Sequence, residues 1–253
     1  MRRLFAPLVA VLLASGLTAA AQAAEHVELM KQAWSFGGVF GTFDRAAAQR
    51  GFQVYKEVCS TCHALSLLSY RNLEGIGFSE DEVKAIAAEY KVQDGPNDQG
   101  EMFERPARPS DHFVKPFPNE KAARASNNGA YPPDLSLMAK AREGGANYIY
   151  SLINGYGDAP ADVKLMQGMN YNKFFPGQQI AMPPPLQPNQ LQYADGTQAT
   201  LAQEAHDVAT FLAWAAEPEM EARKETGVKT ILFLLVLTVL LYAVKRKVWA
   251  AVH

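Results

Sequence analysis

Cysteine is scarce in this sequence: among 253 residues there are two, Cys59 and Cys62. A structural zinc site takes four ligands, and the sequence has no second cluster of cysteine and histidine that could complete one. An internal repeat and a convincing run of strands are also missing. These absences exclude a cysteine-rich zinc module and favour a mainly α fold without a repeat architecture.

The two cysteines are separated by two residues and followed at once by His63. Zinc sites and thioredoxin-like sites share the cysteine spacing but not the adjoining histidine. The full pattern is typical of covalent haem attachment, in which each thiol adds to one haem vinyl group. The next residue then places an imidazole beneath the iron. The motif therefore predicts one covalently bound haem c on Cys59 and Cys62, with His63 as an axial ligand.

The N-terminus has the three parts of a secretory signal peptide. Arg2 and Arg3 supply the basic start, an apolar run covers 4–17, and Ala21-Gln22-Ala23 is a small-residue cleavage site. A retained membrane anchor is the alternative, but the apolar run is short for a span. We expect residues 1–23 to be cleaved.

The C-terminus has a second apolar stretch, over residues 228–244. Lys245, Arg246 and Lys247 close it, and Trp249 follows as an interfacial residue. A buried core helix is the alternative, which the basic stop disfavours. The pattern predicts a single-pass anchor in a bacterial inner membrane. The positive-inside rule then makes residues 245–253 a cytoplasmic tail and residues 24–227 a periplasmic haem domain.

Acidic residues are missing from both of these terminal segments. Six of the 24 Lys and Arg lie there, so the exported domain has 18 basic residues against all 26 acidic ones, a formal charge of −8. Solubility alone explains such a balance. It would also attract a basic partner, and residues 79–82 and 94–104 are the candidate acidic stretches.

Capping residues predict where the main helices begin. Asp44 caps a helix that runs to Cys59, Ser79 with Glu82 caps a helix to Tyr90, and Thr200 with Gln203 forms a capping box on the last soluble helix. Shorter helices are expected at 121–125, 135–142 and 146–153. We expect loops at 91–118 and 156–192, an irregular arm over 25–43 that packs on another surface such as a partner subunit, and a polar linker before the anchor.

The iron needs a sixth ligand, and the residues leave several candidates. His26, His112, His206 and His253 are the other histidines. Met182 precedes three prolines, which would stiffen an extended loop and present the thioether with little ordering cost. Met166 and Met169 are weaker candidates because they lack that context.

Several ordered segments resemble the cytochrome c1 family. They are residues 50–59, 92–97, 122–130, 132–136, 174–178 and 211–218, followed by the anchor and its basic end. The resemblance implies a class I cytochrome c-like haem domain with long loops plus one C-terminal transmembrane helix. It also implies that Gly51 and Tyr55 lie at the contact between the first and last helices, opposite a stripe that includes Val208 and Leu212.

The resemblance also assigns roles around the haem. It implies that Met182 is the second axial ligand and that Pro133 lies beside the proximal histidine. Arg142 and Tyr148 match positions near a haem propionate, and Asn127 matches a haem-lining segment. Some bacterial members of the family have an extra cysteine pair near the axial methionine, which this chain lacks. Its prolines and loop packing are the expected substitutes.

The function implied is single-electron transfer within a quinol–cytochrome c oxidoreductase. The expected partners are the cytochrome b and Rieske iron–sulfur subunits, a basic cytochrome c as acceptor, and the membrane, with no nucleic acid among them. The chain would not be an enzyme by itself. An independent membrane-anchored cytochrome c shuttle is one alternative. A haem peroxidase-like domain, which would need an open sixth position, is another.

Overall fold

A computed structural model describes residues 27–251. The predicted signal peptide, His26 and His253 lie outside this range. The described chain is mainly α-helical with two small sheets, as the fold-class prediction has it. Its helices are α1 Arg45–Glu57, α2 Glu80–Ala88, α3 Glu120–Ser126, α4 Met138–Ala141, α5 Ala146–Asn154, α6 Leu201–Ala216 and α7 Met220–Trp249.

Helix α1 begins where the sequence predicts, at Asp44. The Asp44 carboxylate accepts a hydrogen bond from the backbone N–H of Ala47, which satisfies one of the free donors of the first turn. The apolar side chains of α1 recur at helical spacing, and Phe52 and Tyr55 are buried among them. The helix ends at Glu57, and a 3₁₀ turn over Cys59–Thr61 continues from it. The haem motif is therefore attached directly to a core helix.

Helix α6 is the other main element of the core. Thr200 caps it by accepting a hydrogen bond from the Gln203 N–H. The predicted capping box is incomplete, because the Gln203 side chain donates instead to Asp207 at 3.0 Å. Asp207 is fully buried and ion-paired with Arg50 of α1 at 2.8 Å, so the glutamine belongs to the polar link between the two helices.

Gly51 allows α1 and α6 to cross in direct backbone contact. A Cβ atom on Gly51 would lie 2.0 Å from the Asp207 carbonyl oxygen and 2.7 Å from Cβ of Phe211. Beside this crossing the rings of Tyr55 and Phe211 lie 5.8 Å apart. The expected contact between the first and last soluble helices is thus present. On α6, Asp207 and Phe211 are the residues closest to Gly51. Val208 and Leu212, which follow them directly in the sequence, are also buried.

The prediction of a loop over residues 91–118 is wrong in part. Strand β1, Lys91–Asp94, pairs antiparallel with β2, Phe103–Pro106, with Lys91 opposite Pro106. Arg105 joins the hairpin to the loop that follows it, through ion pairs with Asp94 and Asp111. These bonds hold the pKa of Asp111 at about 2. Four-residue strands with mixed polarity give too weak an alternation for the sequence to reveal them.

A second small sheet lies in the long loop predicted over 156–192. Strand β3, Asn170–Tyr171, pairs antiparallel with β4, Gln179–Ile180, and a 3₁₀ turn over Pro176–Gln178 joins them. The remaining short elements are α3 and α5, which are close to prediction, and a 3₁₀ segment over Tyr70–Ile76. The helix predicted over 135–142 is shortened to the single turn of α4, because residues 133–136 hydrogen-bond to residues 63–67 instead.

The N-terminal arm packs on other parts of its own chain, so this contact does not require a partner subunit. The indole of Trp34 donates to Asn147 of α5 at 2.8 Å and stacks on the ring of His206 of α6, with centroids 4.9 Å apart. Phe36 and Phe43 extend this aromatic cluster. The predicted irregular arm is confirmed, and its surface of contact is the α5–α6 face.

Helix α7 is longer than the predicted anchor. It begins at Met220, which is buried in the core, and runs without interruption to Trp249. The expected polar linker is therefore helical. Arg45 fixes its first turn through paired hydrogen bonds to the Glu221 carboxylate, at 3.0 and 2.7 Å. Among the described residues, this is the one helix long and apolar enough to cross a membrane.

Replacing Gly51 by alanine tests the helix crossing. The added methyl cannot be placed without moving the backbone of α6, so we expect a loss of about 3 kcal/mol in the free energy of unfolding. Gly157→Ala is the matched control, since a Cβ there meets no atom within 4 Å. Thermal unfolding followed by circular dichroism measures both variants. Equal melting temperatures would show that the close approach is not required.

Glu204 is a fully buried carboxyl group on α6. Its two carboxylate oxygens have no hydrogen-bond partner of ordinary geometry in the described part of the chain. Burial raises the pKa of Glu204 to about 7, the backbone of Leu191 opposes the rise in part, and the Asp207 carboxylate adds to it. The folded protein therefore keeps the Glu204 proton at a pH where the unfolded chain releases it.

This difference predicts a pH-dependent stability. Between about pH 4.5, where an unfolded glutamate ionises, and pH 7, the folded state should lose about 3 kcal/mol relative to a variant that cannot ionise. Glu204→Gln should remove that loss and be the more stable protein at pH 8. The exposed Glu74→Gln is the control. Free energies of unfolding measured from pH 4 to 8 with the same slope in all three proteins would contradict the prediction.

Candidate haem site

The cysteine motif forms a compact turn at the end of α1. The backbone N–H groups of Cys62 and His63 donate to the Cys59 carbonyl at 3.1 and 2.8 Å. Ser60 ties the turn to the helix by donating to the Lys56 carbonyl at 2.7 Å. Both cysteines are free thiols and partly exposed. The turn therefore presents two unpaired sulfur atoms and an imidazole from one short arc.

The orientation of His63 is fixed by Pro133. The imidazole Nδ1 lies 2.7 Å from the Pro133 carbonyl oxygen, which can only accept, so Nδ1 carries a proton and donates. Nε2 is then the unprotonated nitrogen, the form that binds a metal. Burial lowers the pKa of His63, although the Pro133 carbonyl and Asp134 oppose the shift. The sequence-predicted residues His63 and Pro133 are thus in direct contact.

The segment after Pro133 is fastened to the chain after His63 by several hydrogen bonds. Leu135 donates its N–H to the Ala64 carbonyl at 2.9 Å. Asp134 accepts from both the N–H and the hydroxyl of Ser66, at 3.0 and 2.5 Å. Burial would raise the pKa of Asp134, but hydrogen bonds from Ser136 and Ser66 outweigh it and lower the pKa. The Pro133 carbonyl is therefore held in place by its own neighbours.

Met182 lies at a bend in a loop, and its backbone is held from two sides. Its carbonyl oxygen accepts hydrogen bonds from the Tyr156 hydroxyl at 3.1 Å and from the Asn170 amide at 3.4 Å. Asn170 belongs to β3, and its partner strand β4 ends at Ile180, two residues before the methionine. The sheet thus fixes the chain that leads into Met182, and the prolines follow it.

The sequence does not reveal these contacts. The prolines and loop packing are the expected substitutes for the extra cysteine pair of some relatives, and the structure adds Tyr156, Asn170 and Asn172. Asn172 is fully buried, donates to the Leu152 carbonyl at 2.7 Å and accepts from the Phe174 N–H at 3.1 Å. The asparagines in 170–172 could have signalled these bonds, because asparagine can satisfy backbone groups in loops.

The other predicted haem-lining residues are not joined by the hydrogen bonds that organise the motif. Asn127 follows α3 and donates to the Ala123 carbonyl at 2.7 Å. Arg142 is exposed and donates to the carbonyl of Ala141 at 3.2 Å. Tyr148 is buried on α5. Their proposed roles toward a haem depend on contacts with the group itself.

Two of the alternative histidine ligands have other contacts. His206 is stacked on Trp34, as described above, and His112 contacts the Leu68 carbonyl at 3.3 Å through Nδ1. The runner-up Met166 is exposed, and its backbone N–H donates to Gln179.

The residues present fit a covalently bound haem. The donor set offers two unpaired thiols, an imidazole with Nε2 available, and a thioether on a braced loop. Thiols for attachment, with nitrogen and sulfur for the iron, are the donors that a haem c requires.

A thiol pair joined to an oriented imidazole is the arrangement of a c-type cytochrome. The model of the Cytochrome C1 family matches residues 34–252. The chain is 50% identical to cytochrome c1 of Rhodospirillum rubrum, with 96% of this chain and 95% of that protein covered. It is 51% identical to the mitochondrial cytochrome c1-2 heme protein of Solanum tuberosum, over 94% of this chain and 92% of the relative. The chain therefore belongs to the cytochrome c1 family.

A third relative is a longer protein. The cytochrome b/c1 of Bradyrhizobium diazoefficiens is 50% identical over 87% of this chain, which covers 35% of that protein. Membership of the family makes this chain a haem c protein and an electron-transfer subunit of the cytochrome bc1 complex. It is not an enzyme by itself.

Proposed function

We propose that this subunit takes single electrons from a Rieske iron–sulfur protein and delivers them to a basic cytochrome c. In this proposal α7 crosses a bacterial inner membrane beside a cytochrome b subunit. The haem domain lies on the periplasmic side. The observation that carries the proposal is the 2.7 Å contact between His63 Nδ1 and the Pro133 carbonyl, because it leaves Nε2 free to bind the iron of a haem.

Haem c, when bound, supplies a one-electron ferrous–ferric couple. Cys59 and Cys62 would hold it covalently, and His63 would bind one face of the iron. Met182 would bind the other, on a loop braced by Tyr156 and Asn170. If His63 and Met182 both bind the iron, no position would be left for oxygen or peroxide, and the protein would act as an electron relay rather than as a peroxidase-like domain.

Four further residues would complete the haem surroundings. Pro133 positions the histidine through its carbonyl. Arg142 is exposed and bears its charge on a flexible stem, so it could neutralise a haem propionate by a charge-assisted hydrogen bond. Tyr148 and Asn127 would lie nearby, as the family resemblance implies. Arg142 would then exchange its weak bond to Ala141 for one to a carboxylate.

The proposed orientation depends on the two ends of the chain. Lys245, Arg246 and Lys247 follow the apolar part of α7, and such clusters remain on the cytoplasmic side. A cleaved signal peptide over residues 1–23 would export the opposite end. Both arguments place the C-terminus in the cytoplasm.

The acidic surface would favour a basic acceptor, and the structure separates its two candidate stretches. At the start of α2, Glu80 and Asp81 pair with Lys84, and Glu82 caps the helix through Ser79. Those acidic side chains are already engaged in contacts that stabilise α2. In the β1–β2 hairpin, Asp94 is paired with Arg105, whereas Asp98 and Glu101 stand exposed in the connecting loop. The hairpin loop is therefore the better candidate for docking.

Replacing Met182 by leucine tests the axial ligand. Loss of the thioether should lower the midpoint potential by roughly 0.1 V or more, within the ~0.8 V range that axial ligands span. The reduced variant should also bind carbon monoxide, which the parent should not. Tyr156→Phe removes one hydrogen bond to the Met182 carbonyl and should lower the potential by a small part of that amount. Met166→Leu is the matched control and should leave the potential unchanged. An unchanged spectrum and potential in Met182→Leu would show that another residue binds the iron.

The salt dependence of the reaction with a basic cytochrome c tests the docking face. The rate should fall by about tenfold between low and physiological ionic strength, since opposite charges steer the encounter. The double variant Asp98→Asn, Glu101→Gln should reduce that slope, and Glu80→Gln, Asp81→Asn should leave most of it. A rate that does not respond to salt would contradict a basic acceptor. Stopped-flow kinetics on the intact complex provides the measurement.

A further inference from the structure

The N-terminal arm makes one excursion away from the core, the glycine loop of residues 36–41. Hydrogen bonds from Thr42 N–H to the Ser35 carbonyl, at 3.1 Å, and from Gly37 N–H to the Trp34 carbonyl, at 3.0 Å, close its neck. No charged residue occurs between Trp34 and Phe43. The tip is Val39–Phe40, and its side chains are 62% and 84% exposed. Phe40 is more exposed than any other large apolar residue in the described chain.

The aromatic residues of this segment divide into two sets. Trp34, Phe36 and Phe43 pack together, with ring centroids 5.4 Å and 5.0 Å apart along the series. Phe40 makes no ring contact with that cluster and is exposed. Closing the arm does not require a phenylalanine and a valine exposed side by side. We therefore expect a partner surface to cover these two side chains.

Hydrogen bonds fasten the neck of the loop to α7. The backbone N–H of Phe43 donates to Glu221 at 2.7 Å. Lys224 donates to the carbonyls of Phe36 and Gly41, at 2.7 and 3.1 Å. Lys224 lies four residues before Val228, which is about 6 Å along the helix axis. The neck is therefore attached within about two helical turns of the apolar stretch that begins at Val228.

The burial of α7 follows the same side of the helix. Gly227 and Val228 are half-buried, on the same side of the helix as Glu221 and Lys224, whereas their neighbours on the other faces are exposed. The face of α7 that holds the neck of the loop is thus continuous with the start of the apolar stretch at Val228.

We propose that Val39 and Phe40 insert into the interfacial layer of the lipid bilayer beside α7, as a second membrane contact of the haem domain. This inference rests on the proposed function, because it requires that α7 cross the membrane. The attachment of the loop close to the apolar start of the span favours lipid over a protein partner. Aromatic and aliphatic side chains on an uncharged loop suit the headgroup boundary. Two contacts, one helix and one loop, would fix the tilt of the haem domain relative to the bilayer.

A spin label at position 40 tests the proposal. The two natural cysteines are consumed by haem attachment, so Phe40→Cys in the full holoprotein carries the only free thiol. The protein is reconstituted in phosphatidylcholine–phosphatidylglycerol vesicles. Collision of the label with oxygen, which concentrates in lipid, is compared with collision with a water-soluble nickel chelate. Leu235→Cys, in the middle of α7, is the reference for lipid, and the exposed Met102→Cys, next to β2, is the reference for water.

The label at position 40 should have an oxygen-to-nickel ratio about threefold or more above that at position 102, and below that at position 235. A ratio equal to that at position 102, with position 235 in lipid, would overturn the loop contact and leave the anchor intact. If position 235 also reports water, the proposed anchoring itself fails. Shielding of position 40 from both reagents would indicate a protein partner and would also overturn the proposal.

A second variant tests whether Phe40 drives the insertion. With the label on Val39→Cys, the additional change Phe40→Asp should move the label into water, while Tyr131→Ser, at a distant exposed aromatic, should not. Repeating the measurement on the purified complex separates lipid from subunit contact. A label that reports lipid in vesicles but is shielded from both reagents in the complex would show that a subunit occupies the loop instead, and would overturn the proposal.

Discussion

The close approach of α1 and α6 at Gly51 sets the geometry of the rest of the domain. Because no side chain separates the two backbones there, the helices are locked at one distance and one rotation. The Arg50–Asp207 ion pair and the Tyr55–Phe211 ring contact lie beside the crossing and reinforce it. Helix α1 then delivers the cysteine motif from its C-terminal end, so the position of the haem attachment depends on that contact.

Backbone carbonyls, rather than charged side chains, accept the hydrogen bonds that orient the predicted haem residues. The Pro133 carbonyl orients His63, and the Cys59 carbonyl closes the turn. The Met182 carbonyl accepts hydrogen bonds from Tyr156 and Asn170. The Pro133 carbonyl is held because Asp134 and Leu135 are hydrogen-bonded to residues 64–66. Pro133 is 70 residues from His63 in the sequence, so this contact exists only in the folded chain.

The sequence predicted what depends on local chemistry. Asp44, Ser79 and Thr200 cap helices where expected. The cysteine–histidine spacing likewise predicted a haem attachment site, and the chain belongs to a family of haem proteins. It did not predict the β1–β2 hairpin, whose pairing depends on Arg105 meeting two aspartates across the chain. Nor did it predict the hydrogen bonds of Tyr156 and Asn170 to the Met182 carbonyl. The contacts of the N-terminal arm with Asn147 and His206 were also not predicted. Those contacts exist only between residues that folding brings together, and one sequence carries no periodic trace of them.

The unbroken course of α7 has a mechanical consequence. The helix starts inside the core at Met220, is fastened at Glu221, and contains no proline along its 30 residues. At 1.5 Å per residue it is a rod of about 45 Å with one end embedded in the haem domain. Such a rod cannot act as a swivel, so the domain and its helix turn as one body. The cysteine turn therefore keeps a fixed height along the axis of α7, and any redox partner has to cover the remaining distance by its own motion.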